Sequence, residues 1–159
     1  MPDALLADTQ AEALHNILAQ HVGLEGPLLP ILHAVQEEFD HIPAAAVPVI
    51  ADHLNIGRAE VHGVVSFYHD FRDLPAGRHV VKICRAEACQ AMGVNQMADD
   101  ALQKLGLEWH GTSKDGAVTI EPVYCLGLCA SGPAAMVDDT LHGRLTAEKL
   151  ETLLAEASA

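Results

Sequence analysis

Tyr124-Cys-Leu-Gly-Leu-Cys-Ala-Ser-Gly-Pro-Ala-Ala-Met136 contains two cysteines, Cys125 and Cys129, with three residues between them, among small and apolar side chains. A second pair, Cys84 and Cys89, is separated by four residues in Cys84-Arg-Ala-Glu-Ala-Cys-Gln-Ala-Met-Gly93. These are the four cysteines of a 159-residue chain, and none precedes position 84. Paired cysteines in a reducing compartment are more often metal ligands or redox groups than structural disulfides. A disulfide, a zinc site, a redox dithiol and an iron–sulfur cluster are the chemistries to be separated.

Working outward from the pairs, the second half of the chain alternates strand and helix signals. Pro75-Ala-Gly77 reads as a turn, and the β-branched run His79–Ile83 as a strand that delivers Cys84. A glycine-containing loop with Cys89 follows, then one helical stretch beginning at Asn95 and closed by Gly106. Asp115-Gly116 predicts a turn into a strand that ends at Cys125. Residues 133–145 read as two short strands joined near Asp138-Asp139. Thr146 is a candidate N-cap for a closing amphipathic helix with Leu150, Leu153 and Leu154 on its apolar stripe. Both cysteine pairs are therefore expected in loops directly after strands. Two strand ends of one sheet meet in space even when 36 positions separate Cys89 from Cys125.

The first half reads as helical. Leu14, Ile17, Leu18 and Val22 share one helical face, closed by Gly23 and Gly26. Leu28, Ile31, Leu32, Val35 and Phe39 share a second, opened by Pro27 or Pro30. A third follows Pro43, with Val47, Ile50, Ala51 and Leu54 inward and Pro48 near its first turn. A short fourth near Arg58–Val65 carries Val61, Val64 and Val65. Each has a single apolar stripe, so each needs neighbours to bury it. Trp109, Phe67, Tyr68 and Phe71 are expected as core or interface anchors.

Half of the residues are hydrophobic, enough for a packed core. The formal net charge of −13 argues against nucleic acid or anionic lipid as partner. The charge is uneven: residues 1–75 carry 11 acidic side chains against Arg58 and Arg72, and residues 76–159 carry 11 against 7 basic ones. No apolar run is long enough to span a bilayer, and Met1–Asp8 lacks the basic and apolar regions of a secretion signal. A cytoplasmic location without direct membrane insertion is the expectation.

Spacing discriminates among the cysteine chemistries. Structural zinc sites favour tight Cys-x-x-Cys knuckles, and thiol–disulfide enzymes use the same spacing at a strand-to-helix turn. Neither pair has it. A [2Fe–2S] cluster needs two thiolates per iron and tolerates longer gaps, so it is the leading reading. A zinc-bound interaction or assembly protein is the alternative of another class. The ten histidines are never two or four positions apart, and none stands beside a cysteine as a Rieske site needs. No glycine-rich dinucleotide or phosphate loop is present, so NAD is not expected to bind this chain.

The residues also carry a family resemblance. The first cysteine loop, followed by the stretch from Asp115 through "CLGLC" to Thr146, resembles the thioredoxin-like [2Fe–2S] ferredoxins. These include the small flavoprotein-module subunit of respiratory complex I and its relatives in NAD-linked hydrogenases and formate dehydrogenases. "LNIGRAEVHGVVSFYHDF", residues 54–71, is similar to that family's helical segment. Complex I members usually have Gly-Thr in the first loop. Here it is Cys84-Arg-Ala-Glu-Ala-Cys89 followed by "QAMG", most similar to the gamma subunit of soluble, molybdenum-dependent NAD-linked formate dehydrogenase.

The resemblance implies an α+β fold: an N-terminal helical bundle over residues 1–74, then a thioredoxin-like domain with a mixed four-stranded sheet over 75–159. It implies one [2Fe–2S] cluster ligated by Cys84, Cys89, Cys125 and Cys129. It also implies a direct partner that binds FMN and NAD(H), and a large subunit with molybdenum cofactor and further iron–sulfur clusters. Electrons would run from formate through clusters and flavin to NAD+, with no bond-making catalysis in this chain. In the thioredoxin fold a cis-proline often precedes the third strand, a position taken here by Pro133. Arg85, between two of the implied ligands, either places positive charge near an anionic cluster, contacts the partner or is merely solvated.

Overall fold

The computed structural model describes residues 6–158; Met1–Leu5, part of the stretch read for a secretion signal, and Ala159 lie outside the described residues. The chain divides into two compact units, Met1–Pro75 and Ala76–Ala159.

The first unit contains α1 (Asp8–Gln20), α2 (Leu28–Phe39), α3 (Ala46–Leu54) and α4 (Arg58–Phe67). Their stripes meet in one core, in which Leu14, Leu18, Ile31, Leu32, Val35, Ile50 and Val61 are buried. Burying each such side chain contributes about 1.5–3 kcal/mol, which these short helices need because alone they are marginal. Pro30 and Pro48 fall in first turns, where the missing N–H has no intrahelical partner. Glu60 reaches back to accept the Gly57 N–H at the start of α4 (2.7 Å). One expectation fails. Periodicity places Val22 on the stripe of α1, but the helix stops at Gln20 and Val22 is 71% exposed. His21 ends that helix, its Nδ1 donating to the Ile17 carbonyl (2.7 Å).

The chain leaving α4 is held by Gln36. Its Nε2 donates to the Asp70 carbonyl (2.6 Å), and its Oε1 accepts the Arg72 N–H (2.8 Å). This seats Phe71 in the core with its ring 4.9 Å from that of His33. Of the other aromatic residues expected as anchors, Phe67 and Tyr68 are exposed.

The second unit runs β1 (His79–Cys84), α5 (Glu87–Ala91), α6 (Val94–Leu105), β2 (Val118–Val123), β3 (Ala135–Val137), β4 (Thr140–His142) and α7 (Ala147–Ala157). The mixed four-stranded sheet implied by the resemblance is present, in the order β2-β1-β3-β4. β1 and β2 are parallel, with His79 opposite Val118 and Cys84 opposite Val123; the remaining pairs are antiparallel. Val81, Ile83, Val118 and Ile120 pack with Val94, Ala98 and Leu102 of α6 and Leu150 and Leu154 of α7. Lys104 Nζ pairs with Glu151 Oε1 between those helices. Thr146 caps α7 as expected, accepting the Lys149 N–H (3.2 Å). Residues 110–113 run along β2: the Ile120 carbonyl accepts the His110 N–H (2.8 Å), and the Val118 carbonyl accepts the Ser113 N–H (2.8 Å).

Three local expectations need correction or completion. The single helix between the first strands is two, because α5 forms ahead of Gly93 and takes in Cys89. β2 ends at Val123, two residues before Cys125, because Cys125 has φ 130 and leaves the extended conformation. The Gly132–Pro133 peptide bond is cis.

Asp138, in the β3–β4 turn, closes the sheet. Its carboxylate accepts from His79 Nδ1 (2.8 Å) and the Val80 N–H (2.9 Å). Partial burial pushes its pKa up, but these two hydrogen bonds prevail and hold the carboxyl below its ordinary value. A depressed native pKa contributes stability above the unfolded pKa of about 3.9, and that contribution disappears as pH falls through the native value. Asp138→Asn is therefore expected to lower stability at neutral pH. The gap to the native chain should close under acid, which urea denaturation at stepped pH values will measure.

Candidate metal centre

Because β1 and β2 run parallel, their carboxyl ends lie at the same edge of the sheet. Cys84 is the last residue of β1; its N–H donates to the Ala134 carbonyl (3.0 Å) and its thiol is buried. Cys89 projects from α5 and is also buried. Burial pushes the Cys89 thiol pKa up, and a hydrogen bond with Cys84 adds to the effect, while a backbone hydrogen bond from Ala134 opposes it. The first two thiols are thus immediate neighbours.

The second pair is built on tighter backbone. Cys125 is a non-glycine residue at φ 130, where L side chains are strained at a cost of about 1–3 kcal/mol. Gly127 follows at φ 75, a conformation suited to glycine, and its N–H donates to Cys125 Sγ (3.4 Å). Cys129 opens a short 3-10 turn, Cys129–Ser131. Its Sγ stands 3.7 Å from Cys125 Sγ, and both thiols are exposed. A hydrogen bond with Cys125, followed by that neighbour's charge, raises the Cys129 pKa.

The pairs also sense each other. Charge on Cys84 acts on Cys129, and charge on Cys129 acts on Cys89. Gly132, in the second loop, lies against the first pair: a Cβ there would be 3.6 Å from Cys89 Sγ and 3.4 Å from Met92 Sδ. The sequence marks the small residues of this loop only as a class; the fold shows Gly132 as the point where the two loops meet.

The donor set fits a binuclear cluster. The 3.7 Å separation of Cys125 and Cys129 is far beyond the ~2.05 Å of a disulfide bond. Two thiolates on one tetrahedral ion with metal–sulfur bonds of ~2.3 Å would stand ~3.8 Å apart, close to what is seen. Thiols in two pairs suit two irons better than one zinc. Leu126 and Leu128 beside the outer pair are half-buried, and Tyr124 is exposed.

Over residues 14–158 the sequence matches the thioredoxin-like [2Fe-2S] ferredoxin family. The chain belongs to this family. Its cofactor is accordingly one [2Fe–2S] cluster, and its role is electron transfer. The ferredoxin is 32% identical to HndA, a subunit of an NADP-reducing hydrogenase from Solidesulfovibrio fructosivorans, over 83% of this chain and 77% of that one. It is 32% identical to a subunit of the NADH-quinone oxidoreductase of Escherichia coli strain K12, over 94% of this chain and 90% of that one. The crystal structure of an air-oxidized NAD+-reducing [NiFe]-hydrogenase aligns with a TM-score of 0.65 at 22% identity. That alignment covers 82% of this chain and 22% of the hydrogenase chain, and is a likeness of fold. Among the described residues, no helix is long and apolar enough to cross a membrane.

The loop carrying Cys129 is braced from behind by Gly143. A Cβ there would stand 2.9 Å from the Ser131 carbonyl oxygen, which also accepts the Arg144 N–H (2.6 Å). Gly143→Ala should displace the 3-10 turn and destabilise the ferredoxin by about 1–3 kcal/mol. Chemical denaturation gives the stability loss, and iron retention during gel filtration shows whether Cys129 has moved.

Proposed function

We propose that Cys84, Cys89, Cys125 and Cys129 ligate the [2Fe–2S] cluster of this ferredoxin. We further propose that the chain is the electron-transfer subunit of a multi-subunit, molybdenum-dependent NAD-linked formate dehydrogenase. The observation carrying the ligand set is the meeting of two thiol pairs at the carboxyl ends of two parallel strands. When bound, the cluster supplies one-electron transfer. The chain's own residues prepare its seat. Cys84 and Cys89 form a dry inner wall, Cys125 and Cys129 a solvent-facing outer one, and the Gly127 N–H donates to sulfur. Such hydrogen bonds favour the thiolate form and help set the reduction potential.

The formate dehydrogenase reading rests on the first loop, Cys84-Arg-Ala-Glu-Ala-Cys89 with "QAMG" after it. In that assembly the chain adjoins an FMN- and NAD-binding subunit, with a molybdenum- and iron–sulfur-containing large subunit in the same cytoplasmic complex. A second reading, the equivalent subunit of an NAD(P)-linked hydrogenase or of complex I, is favoured by the relatives named above.

Anaerobically purified protein is expected to contain iron and acid-labile sulfide in equal amounts, and its visible absorption should bleach with dithionite. Stoichiometric zinc in a colourless protein would overturn the cluster assignment. Serine replacement of each cysteine in turn should abolish or sharply reduce iron content; a variant with the native spectrum removes that residue from the ligand set. Molybdenum co-purifying with the chain from its source supports formate dehydrogenase, whereas nickel in its place supports hydrogenase.

A further inference from the structure

Arg85 and Glu87 are the only charged residues in the two stretches that form the centre, 84–93 and 124–133. Their surroundings differ. Glu87 is exposed at the start of α5. Arg85 is half-buried, and its guanidinium carbon lies over the Trp109 ring, 5.1 Å from the centroid. The Arg85 side chain also closes a ring of three hydrogen bonds. Its Nε donates to Asn95 Oδ1 (3.4 Å), Asn95 Nδ2 donates to Gln90 Oε1 (3.3 Å), and Gln90 Nε2 donates to the Arg85 carbonyl (2.7 Å). The Arg85 N–H donates to the Val123 carbonyl (2.7 Å), fixing the backbone between the ends of β1 and β2. A surface arginine kept only for solubility needs none of these restraints.

The chemistry gives the restraints a purpose. Four thiolates around a [2Fe–2S] core form an anionic group that becomes more negative on reduction. A cation held beside it favours the reduced form, and more strongly where the site is partly dry and the charge cannot swing into water. Arg85 is covalently adjacent to Cys84, one of the two buried thiols. We propose that Arg85 raises the reduction potential of the cluster, with Trp109 and Asn95 as positioning residues that keep its charge at the inner wall. This rests on the ligand assignment above.

The test uses the full chain purified with its cluster. Iron and sulfide content of the native protein is measured first, so failure of the ligand assignment appears there and not in the variants. Spectroscopically monitored redox titrations then compare native protein with Arg85→Gln, Arg85→Lys, Trp109→Leu, Trp109→Phe and Glu87→Gln at equal cluster content. Arg85→Gln is expected to shift the midpoint potential to more negative values, and Arg85→Lys to restore part of the difference. Trp109→Leu should shift it the same way by less, with Trp109→Phe close to native. Glu87→Gln should give a smaller shift of opposite sign. A native potential in cluster-loaded Arg85→Gln overturns the proposal. A native potential in Trp109→Leu, or a Glu87→Gln shift as large as that of Arg85→Gln, overturns the positioning role. If Arg85→Gln loses its cluster, Arg85→Lys and Trp109→Leu decide, and native potentials in both reject the idea.

Discussion

The parallel pairing of β1 with β2 is the constraint on which the centre depends. Antiparallel neighbours would send the ends of the two strands to opposite edges of the sheet. Parallel register brings Cys84 level with Val123, so the chain leaving β2 enters the space beside the first pair within two residues. The connection this demands is supplied by α5 and α6. Ligand-binding loops at the carboxyl ends of parallel strands are a general outcome of such sheets. Here the outcome is that the proposed ligand site draws on segments far apart in sequence, neither of which holds four thiols alone. Loss of the β1–β2 pairing would therefore cost the centre along with the core.

The two halves of the centre are unequal in a way that suits electron transfer. The inner thiols are buried against the core that also holds Val94 and Ala98, which resists rearrangement between oxidation states. The outer thiols sit on strained, glycine-assisted backbone near the exposed side chains of Tyr124 and Met92. Electron exchange with another protein requires close approach, and an outer wall open to solvent permits it. Rigidity inward and access outward follow from one loop being anchored on a strand and a helix, and the other on a turn.

Much of this is legible in the sequence because the signals are periodic or covalent. The stripes of α2, α3 and α4 predict which side chains are buried, and Thr146 marks the start of α7. The two cysteine gaps by themselves favour a cluster over zinc. What escapes is backbone and side-chain geometry too local or too irregular to leave a periodic signal. Nothing in "RAEACQAM" announces that Cys89 lies on a helical turn, since five residues are too few for periodicity. The φ of Cys125 has no sequence signature, because glycine or asparagine is the usual marker of such backbone. The ring joining Arg85, Gln90 and Asn95, with the Arg85 guanidinium over Trp109, links the loop after β1 to α5 and α6 and needs the fold to be seen.

Residues 110–113 and the brevity of β4 also decide how the sheet meets other chains. A sheet with an open, long edge invites a second chain to add a strand. At one margin the Ile120 and Val118 carbonyls are already occupied by the chain's own His110 and Ser113 amides. At the other, Thr140–His142 is offered, three residues that follow directly on the β3–β4 turn at Asp138. The molecule is thereby steered away from fibril-like stacking. Contact with another protein is then left to side chains and loops rather than to the margins of the sheet.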